Sequence, residues 1–419
     1  MAQLKDDCFA FGDALIPYAS ALSDLEQRLD CVVGTETVPL RSSLGHILAA
    51  DIVSTRNVPP HDNSAVDGFA VFFGDLKSDT DTVLPVTGRV AAGHPLGRDA
   101  KRGEAVRIFT GAQMPVGMDT VFMEEDCQLE GNTVTLPPGL KSGSNRRFAG
   151  EDVKVDDVVV TAGSKLWAQE IGLAASIGCQ SLDVYQPLKV GVFSTGDEVR
   201  DPSDDAPEGC IFDANRYTVM SMLDGLGMEV TDFGILPDNL QAITNALSAA
   251  KENQDVLLTS GGVSAGEEDH VKAAVENLGS INFWRLAIKP GRPIALGQIA
   301  QTAFVGLPGN PVAAMVTFLM VAQPMLRKLA GEIGYTPTRV RVATDFDYKK
   351  KSGRREWVRA SLKQNADGQS MATKHHSSGA GILTSMVGAD GLVEIEEDVT
   401  RLDAGTEVTY LPFSGLLAG

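Results

Sequence analysis

The chain of 419 residues is poor in several features that mark particular classes of protein. It has five scattered cysteines without a C-x-x-C pair, and only 6% of its residues are aromatic. Isolated thiols of this kind exclude a zinc cluster of ordinary spacing and indicate reduced cysteines in a cytoplasmic protein. The first residues, from Met1 to Asp7, contain no basic and apolar leader, so we expect no secretion signal.

An excess of basic residues is also lacking, because the formal net charge is -19. Nucleic acids and anionic membranes attract basic surfaces, so we expect neither as a partner. A small anionic substrate fits such a chain only where basic residues gather locally. The longest apolar run, Val312 to Ala322, is too short to span a bilayer and predicts a buried crossover helix.

Between residues 184 and 334, apolar runs alternate with amphipathic segments, which is typical of a doubly wound α/β sheet with parallel or mixed strands. The predicted strands are Val190–Ser194, Glu229–Leu236, Val256–Ser260, Phe283–Ile288 and Ala303–Leu307. The predicted helices are Asn215–Gly227, Asn239–Glu252, His270–Leu278 and Asn310–Leu329. Because parallel strands end at the same edge of a sheet, we expect the loops after these strands to form one rim.

The flanking segments predict further domains, since a chain of this length exceeds one compact core. Phe11–Asp30, Ser43–Ala49 and Ala168–Ile177 have helical spacing. Short runs bounded by Gly, Pro and Asp predict β structure in two places. The strands expected in the first of these are Phe69–Phe73, Val83–Val90, Ala105–Phe109, Thr120–Met123 and Thr133–Leu136.

We therefore predict a multidomain protein of α/β and β parts with four domains. Residues 1–53 and 147–183 form a small, elongated linker domain of helical and extended segments. Residues 54–146 form an inserted β-rich domain, and residues 184–334 form the central α/β sheet domain. Residues 335–419 form a C-terminal β-barrel-like domain.

Two adjacent carboxylates follow the first strand of the sheet, in Ser194-Thr195-Gly196-Asp197-Glu198. On such a loop they can hold a divalent cation or polarise a water molecule. The same residue types also make ordinary solvated turns. A third rim carboxylate, Asp238, follows the second strand.

The rim loop Ser260–Gly266 is rich in glycine, so its backbone N–H groups can form a nest for an anion. It matches neither the dinucleotide fingerprint nor the phosphate-binding P-loop. Asp269, shortly after it, is a candidate metal ligand or simply an acid that favours the start of a helix.

The last two rim loops carry cations and a helix start. Lys289 and Arg292 lie on a loop stiffened by prolines, which suits a phosphate or another tetrahedral oxyanion, or else is a turn with two exposed charges. Asn310 followed by Pro311 predicts a helix N-cap, where an anion can also bind.

Three polar clusters lie outside the sheet. The segment His61–Gly68 is dense in side chains that can bind ligands, although the same types make turns. Asn145–Arg147 and Gly150–Asp152 place basic and acidic groups side by side. The pair His375-His376 has no partner at metal-ligand spacing and predicts an exposed loop.

With these segments in view, the chain resembles the MoeA/gephyrin E-domain family, the molybdopterin molybdenumtransferases, over nearly its whole length. The motifs that carry the resemblance are Asp62-Asn63-Ser64-Ala65-Val66-Asp67-Gly68-Phe69-Ala70, Arg107-Ile108-Phe109-Thr110-Gly111-Ala112, Gly150-Glu151-Asp152, Ser194-Thr195-Gly196-Asp197-Glu198, Ser260-Gly261-Gly262-Val263-Ser264, Lys289-Pro290-Gly291-Arg292-Pro293 and Gly306-Leu307-Pro308-Gly309-Asn310-Pro311. Each motif alone is weak, and their shared order is highly specific.

The resemblance implies a homodimer in which the sheet domain of one subunit faces the β-rich insert of the other across a cleft. It implies a reaction that takes adenylylated molybdopterin and molybdate, cleaves the phosphoanhydride with release of AMP, and inserts molybdenum at the dithiolene sulfurs. A divalent cation, usually Mg²⁺, assists. The upstream adenylyltransferase and recipient molybdoenzymes are the further partners that the resemblance suggests.

The resemblance also assigns roles to residues. It makes Asp67, Glu198 and Asp269 the candidates for catalysis and metal binding, with Asp152 as a supporting metal ligand. The residues that it implies for substrate binding are Ser260, Gly261, Gly262, Ser264, Lys289, Arg292, Thr110, Arg146, Asp238, Pro308 and Asn310. Arg354 and Arg359 match a family pattern without an assigned role.

The chain departs from the family at a few positions. Val66 stands where Met is usual, Arg292 where Lys is also common, and Ala380 where many members have Ser. Two alternative functions are a molybdopterin adenylyltransferase-like enzyme and a non-catalytic scaffold like gephyrin. The long N-terminal region with Asp67 disfavours the first, because those enzymes have a single domain.

Overall fold

The computed structural model describes residues 3–4, 15–262, 270–291 and 293–417. Within these residues the chain forms three six-stranded sheets and several two-stranded ribbons, flanked by helices. The fold is therefore multidomain, with mixed α/β and β parts, as the sequence predicts. The predicted site residues Ser264, Asp269 and Arg292 lie outside the described residues.

The first region is an extended connector made of ribbons that join its two halves. Thr35–Pro39 pairs antiparallel with Ser181–Tyr185, and Ile52–Val53 pairs with Val158–Val160. The chain thus leaves this region near residue 53 and returns near residue 158. Its helices are Tyr18–Arg28 and Ala168–Ser176.

Two helix predictions in this region need correction. The first helix begins at Tyr18, directly after Pro17, and residues 11–14 of the predicted segment lie outside the described residues. The predicted helix Ser43–Ala49 is wrong: a short 3₁₀ turn, Leu40–Ser42, ends there and extended backbone follows. Gly45 has a φ of 82°, which a right-handed helix does not allow, and Ile47 and Leu48 form isolated bridges with Lys165 and Val184.

The inserted β region forms one six-stranded sheet. In spatial order its strands are Thr120–Met123, Gly68–Val71, Ala105–Ile108, Thr82–Val90, Thr133–Leu136 and Gln128–Glu130. The predicted strands are therefore confirmed within two residues at each end. A small ribbon, Asn63–Ser64 with Arg146–Arg147, ties the two polar clusters of this region together. Short 3₁₀ turns lie at Phe73–Asp75 and Glu124–Asp126.

In the central α/β sheet five strands run in one direction and Pro293–Ile299 runs in the opposite one. Its spatial order is Glu229–Leu236, Lys189–Thr195, Val256–Ser260, Thr302–Leu307, Pro293–Ile299 and Gly279–Arg285. The last two strands run antiparallel to their neighbours, so the sheet is mixed. The strand Pro293–Ile299 was not predicted, and the predicted Phe283–Ile288 divides into Gly279–Arg285 and a separate Ile288–Lys289.

Helices cover both faces of this sheet because alternate strand residues point to opposite sides. Val192 and Leu258 belong to a core with the helices Ala214–Gly225 and Pro311–Leu329. Phe193 and Leu257 belong to a second core with Leu240–Ala250 and His270–Leu278. The sheet is therefore doubly wound.

The helix Pro311–Leu329 is the one helix in the described part of the chain with the length and apolar character to cross a membrane. It contains a π-helical stretch, Phe318–Ala322, between α-helical ends. Of its most apolar window, 83% is buried inside the protein. The prediction of a buried core helix is confirmed.

The C-terminal sheet closes into a barrel. Its spatial order is Ile288–Lys289, Arg355–Gln364, Ser370–Lys374, Val340–Thr344, Glu407–Pro412 and Gly391–Ile395. Arg355–Gln364 pairs with both Ser370–Lys374 and Gly391–Ile395, which closes five strands on themselves. The added strand Ile288–Lys289 comes from the α/β region, so the two regions share backbone hydrogen bonds. Two short helices, Thr384–Val387 and Phe413–Leu416, and the ribbon Tyr348–Lys349 with Arg401–Leu402 complete this part.

Candidate active site

The rim of the α/β sheet and the C-terminal barrel enclose a cavity of about 640 Å³, which we call the rim cavity. The rim loops meet here because the parallel strands end at one edge and Gly279–Arg285 ends at the same edge. The predicted site residues in its wall are Glu198, Gly261, Gly262, Lys289, Pro308 and Asn310. Ser260 is buried just behind this wall.

Close packing explains two of the rim glycines. Gly262 has a φ of 65°, and a Cβ added to it would lie 2.5 Å from Thr195 Oγ1. Gly291 has a φ of 82°, and its Cβ would lie 2.3 Å from Thr317 Oγ1. Both positions therefore exclude a side chain by contact as well as by backbone conformation. The close approach brings Gly262 against the end of the strand that precedes Glu198.

A buried carboxylate of the barrel holds Lys289. Glu356 is 1% exposed, and its Oε2 atom lies 3.2 Å from Lys289 Nζ and accepts a hydrogen bond from Tyr348 at 2.8 Å. Arg354 donates to its other oxygen at 2.7 Å. Burial alone would raise the pKa of Glu356, but these donors and the charge of Lys289 outweigh burial and lower it. Lys289 is therefore fixed in the cavity wall.

The barrel adds a second group of cations, which sequence reasoning left without a role. Arg359 is 5% exposed, donates to the carbonyls of Ser377 and Gly379 at 3.0 and 3.3 Å, and lines the rim cavity. Its Nε atom is buried with no acceptor among the described residues. Burial lowers the pKa of Arg359. Lys374 lies in the same wall.

One barrel strand supplies much of this wall. Four consecutive residues of Arg355–Gln364, from Glu356 to Arg359, line the rim cavity, so both faces of the strand contribute and alternation along the strand does not single them out. His375 also lines it, whereas the sequence predicts an exposed loop for both histidines. That prediction is wrong for His375, which is half-buried, and holds for His376.

The helix Pro311–Leu329 begins where the sequence predicts, with Asn310 at the N-cap position and Pro311 first in the helix. The expected capping bond from the Asn310 side chain is not made. Pro311 has no N–H group, and the N–H of Val312 donates to the carbonyl of Ala380 at 3.0 Å. A barrel loop thus satisfies this helix end, and the Asn310 side chain remains in the cavity wall. Ala380 contributes its carbonyl here, so its lack of a hydroxyl does not affect this contact.

The inserted region has a cavity of its own, of about 340 Å³, which we call the insert cavity. Thr110, Arg147, Glu151 and Asp152 line it. Asp67 Oδ1 accepts hydrogen bonds from both the Thr110 hydroxyl and the Thr110 N–H at 2.7 Å. These bonds lower the pKa of Asp67, and the nearby charge of Arg107 adds to the effect. The Asp67 carboxylate is therefore ionised and held in place by Thr110, and we refer to the two residues as the pair Asp67–Thr110.

Of the two adjacent arginines, Arg147 lines the insert cavity. Arg146, the residue chosen from the sequence, lies 3.6 Å from Asp62 and stacks over the Phe148 ring at 4.4 Å. The two side chains leave the short strand Arg146–Arg147 on opposite sides, which explains why Arg147 lines the insert cavity and Arg146 does not.

Comparisons with known proteins bear on this arrangement. Residues 16–178 match the family described as MoeA N-terminal region (domain I and II), and residues 341–413 match MoeA C-terminal region (domain IV). Between them, residues 191–328 match a family described as probable molybdopterin binding domain. A molybdopterin molybdenumtransferase from Haemophilus influenzae is 39% identical over 95% of this chain and 98% of its own length.

The chain belongs to the MoeA family.

Other relatives agree with this assignment to the MoeA family. A molybdopterin molybdenumtransferase from Nostoc sp. is 34% identical over 94% of this chain and 92% of its own length. The crystal structure of a molybdopterin biosynthesis MoeA protein from Pyrococcus horikoshii OT3 superposes with a TM-score of 0.82 at 29% identity. It covers 95% of this chain and 100% of its own. The resemblance noted in the sequence is confirmed.

In the described part of the chain, the MoeA-family motifs lie at two separate places. Among the described residues, none lines both the rim cavity and the insert cavity, so Glu198 and the pair Asp67–Thr110 lie in different places. Asp238 is exposed and lies outside both walls. Within the described ranges, no group of three His, Cys, Asp or Glu side chains is placed to hold a metal ion. The described part of one chain thus presents the family motifs at two separate cavities.

Proposed function

We propose that this chain is a molybdopterin molybdenumtransferase. It would take adenylylated molybdopterin and molybdate, cleave the phosphoanhydride with release of AMP, and insert molybdenum at the dithiolene sulfurs. The observation that carries the proposal is the rim cavity, in which Lys289, Arg359 and Lys374 gather in a chain of net charge -19. Both substrates are anions, and such cations bind phosphate and other oxyanions.

In this proposal the residues of the rim cavity bind different parts of the substrate. Lys289 and Arg359 hold anionic oxygens of the substrate, and Arg292 does the same on the adjoining part of the loop. The N–H groups of the glycine-rich loop, from Ser260 to Ser264, cradle the phosphates. Pro308 and Asn310 shape the opposite wall. Asp238 is a supporting residue at the outer rim.

Glu198 is the acid that orients the attacking water. It is exposed in the wall of the rim cavity, so its carboxylate is accessible to a substrate. Its loop is fixed, because its backbone carbonyl accepts a hydrogen bond from the N–H of Ile211 at 2.8 Å. A general base must reach the reacting group from a defined position, and this loop provides one.

A divalent cation, Mg²⁺ or a similar ion, fits the donor set in kind. Glu198 and Asp152 are exposed carboxylates, and oxygen donors of this type are what Mg²⁺ prefers. Asp67 and Asp269 are the further candidate ligands. When bound, the ion would neutralise charge that develops on the phosphoanhydride oxygens.

Completion of the site needs a second copy of the chain. We infer a homodimer in which the insert cavity of one subunit faces the rim cavity of the other and brings Asp67, Thr110 and Arg147 to Glu198. Exposed apolar side chains flank both half-sites, which supports this arrangement. Ile211 and Phe212, 59% and 52% exposed, adjoin the Glu198 loop, and Phe148 adjoins Arg147.

The remaining assignments are proposals of the same kind. The four domain boundaries drawn from the sequence stay a prediction. So do the cytoplasmic location and the contacts with an upstream adenylyltransferase and with recipient molybdoenzymes.

The test is an assay with adenylylated molybdopterin, Mg²⁺ and molybdate. It follows AMP release and, in parallel, reconstitution of an apo-molybdoenzyme. Both signals from the wild-type protein would support the transferase. AMP release without reconstitution would indicate a different metal substrate, and the absence of both would favour the adenylyltransferase or scaffold alternatives.

A further inference from the structure

The first turn of helix Ala214–Gly225 lies behind the rim cavity and connects two of its loops. The Asn215 side-chain nitrogen donates to Ser260 Oγ at 2.8 Å and to the carbonyl of Gly309 at 2.7 Å. Ser260 Oγ in turn donates to the carbonyl of Pro308 at 3.1 Å. Asn215 itself does not line the cavity, so it reaches the site through these two loops.

The two loops are in direct contact where Asn215 holds them. The N–H of Gly261 donates to the carbonyl of Leu307 at 3.1 Å. A Cβ added to Gly309 would lie 3.6 Å from the Cα of Gly261. Gly261 and Gly309 both line the rim cavity, so a small change in their spacing changes its wall.

The helix start that carries Asn215 is itself firmly anchored. Its neighbour Arg216 is buried and pairs with three carboxylates, those of Asp201, Asp213 and Asp232. Asp213 is also the N-cap of the helix, where it accepts from the N–H of Arg216 at 3.1 Å. Asn215 is therefore held in a fixed position behind both loops.

We propose that Asn215 is a positioning residue, whose carboxamide sets the spacing between the segment Ser260–Gly262 and the Pro308–Asn310 loop so that together they receive the phosphate part of the substrate. This inference rests on the proposed function. Ser260 Oγ and the carbonyl oxygen of Gly309 each accept a hydrogen from the same side-chain nitrogen. Among small side chains, only a carboxamide has two N–H hydrogens to donate in this way. Aspartate at this position supplies none, and serine supplies one.

Steady-state kinetics of AMP release separate this role from simple support of the fold. Asn215→Asp should raise KM for adenylylated molybdopterin by roughly ten- to a hundredfold, because the displaced loops bind substrate and transition state less well to the same extent. Asn215→Ser should raise KM by less. We expect kcat to stay within about threefold of the wild-type value and the melting temperature to change little. A general loss of fold would instead lower kcat and the melting temperature together.

The matched control is Asn245→Asp on the exposed face of helix Leu240–Ala250. The Asn245 side chain accepts a hydrogen bond only from Gln241 in the described residues and lines neither cavity. This variant should keep the wild-type KM.

Hydrogen exchange supplies a readout that does not depend on the reaction. Peptides containing Gly261 and Gly309 should exchange faster in Asn215→Asp than in wild type, while peptides from the barrel strand Arg355–Gln364 should not change. Unchanged exchange, or faster exchange with a wild-type KM, would overturn the proposal. If wild-type protein released no AMP, the proposed function would fail, and exchange alone would decide whether Asn215 holds the loops.

Discussion

The rim cavity and the insert cavity differ in the charges that they collect. The rim cavity gathers Lys289, Arg359 and Lys374, and the carboxylate that it exposes from the α/β region is Glu198. The insert cavity gathers Glu151 and Asp152 with Arg147, next to the ionised pair Asp67–Thr110. One half is suited to anionic oxygens, and the other supplies carboxylates that suit a cation.

The difference teaches that, under the proposed reaction, neither cavity by itself supplies both the cations and the carboxylates that phosphoanhydride cleavage needs. Basic side chains bind a phosphate but do not hold a divalent cation. Carboxylates bind a divalent cation but do not attract a phosphate. In the described part of one chain the two sets stay apart. The homodimer proposed above, in which one half lies opposite the other, would resolve this separation.

The largest effect on activity is expected from a change at Glu198, the exposed carboxylate in the wall of the rim cavity. Glu198→Gln should lower AMP release by roughly 10²–10⁴-fold, because the amide neither orients the water as a base nor binds a cation as well. Circular dichroism and gel filtration should show an unchanged fold and dimer. Normal turnover in this variant would contradict the assignment of Glu198.

A smaller effect is expected from removing one cation of the rim cavity. Lys289→Ala should raise KM for adenylylated molybdopterin by roughly ten- to a hundredfold, as a lost hydrogen bond to a charged group would. Lys349→Ala removes an exposed lysine from the barrel outside the cavity and should leave KM unchanged. Equal effects of the two changes would mean that only net charge matters.

The smallest effect concerns the stability of the inserted region. Glu104 accepts hydrogen bonds from Arg98, from Thr87 and from the N–H of Lys101, and they lower its pKa from 4.5 to about 2. Because the pKa is lower in the folded state, this stabilisation is present above pH 4.5 and is lost as the pH falls toward 2. Glu104→Gln should therefore lower the melting temperature at pH 7 and progressively less as the pH is lowered.

Glu130→Gln, an exposed change in the same sheet, is the control for this pH series. Its melting temperature should follow wild type at every pH. A difference between Glu104→Gln and wild type that grows as the pH falls would contradict the role of Glu104.

Local sequence patterns were sufficient for much of the α/β sheet. The strand Val256–Ser260 and the helix His270–Leu278 have the predicted bounds, because apolar periodicity and flanking turn residues reflect burial directly. The strand Pro293–Ile299 escaped prediction, since Pro293 and Gly297 interrupt its apolar pattern. The false helix at Ser43–Ala49 had suitable spacing, but Gly45 has a positive φ, and Ile47 and Leu48 pair with residues more than a hundred positions away in the sequence.

The full set of residues that line the rim cavity was harder to predict than the position of the rim loops. Glu198, Gly261 and Lys289 lie in the rim cavity as the position of the loops suggests. The wall from the barrel was missed, because Glu356 meets Lys289 across 67 residues of sequence and no local pattern encodes that contact. The choice between Arg146 and Arg147 depends on which side of a two-residue strand faces the cavity.

The most direct test of the two-subunit site is complementation between two inactive variants. Glu198→Gln and Asp67→Asn should each abolish AMP release as homodimers. In mixed dimers, one of the two sites would combine Glu198 of one subunit with Asp67 of the other, so random pairing should restore about a quarter of wild-type activity. A mixture that forms mixed dimers but remains as inactive as its components would contradict the account.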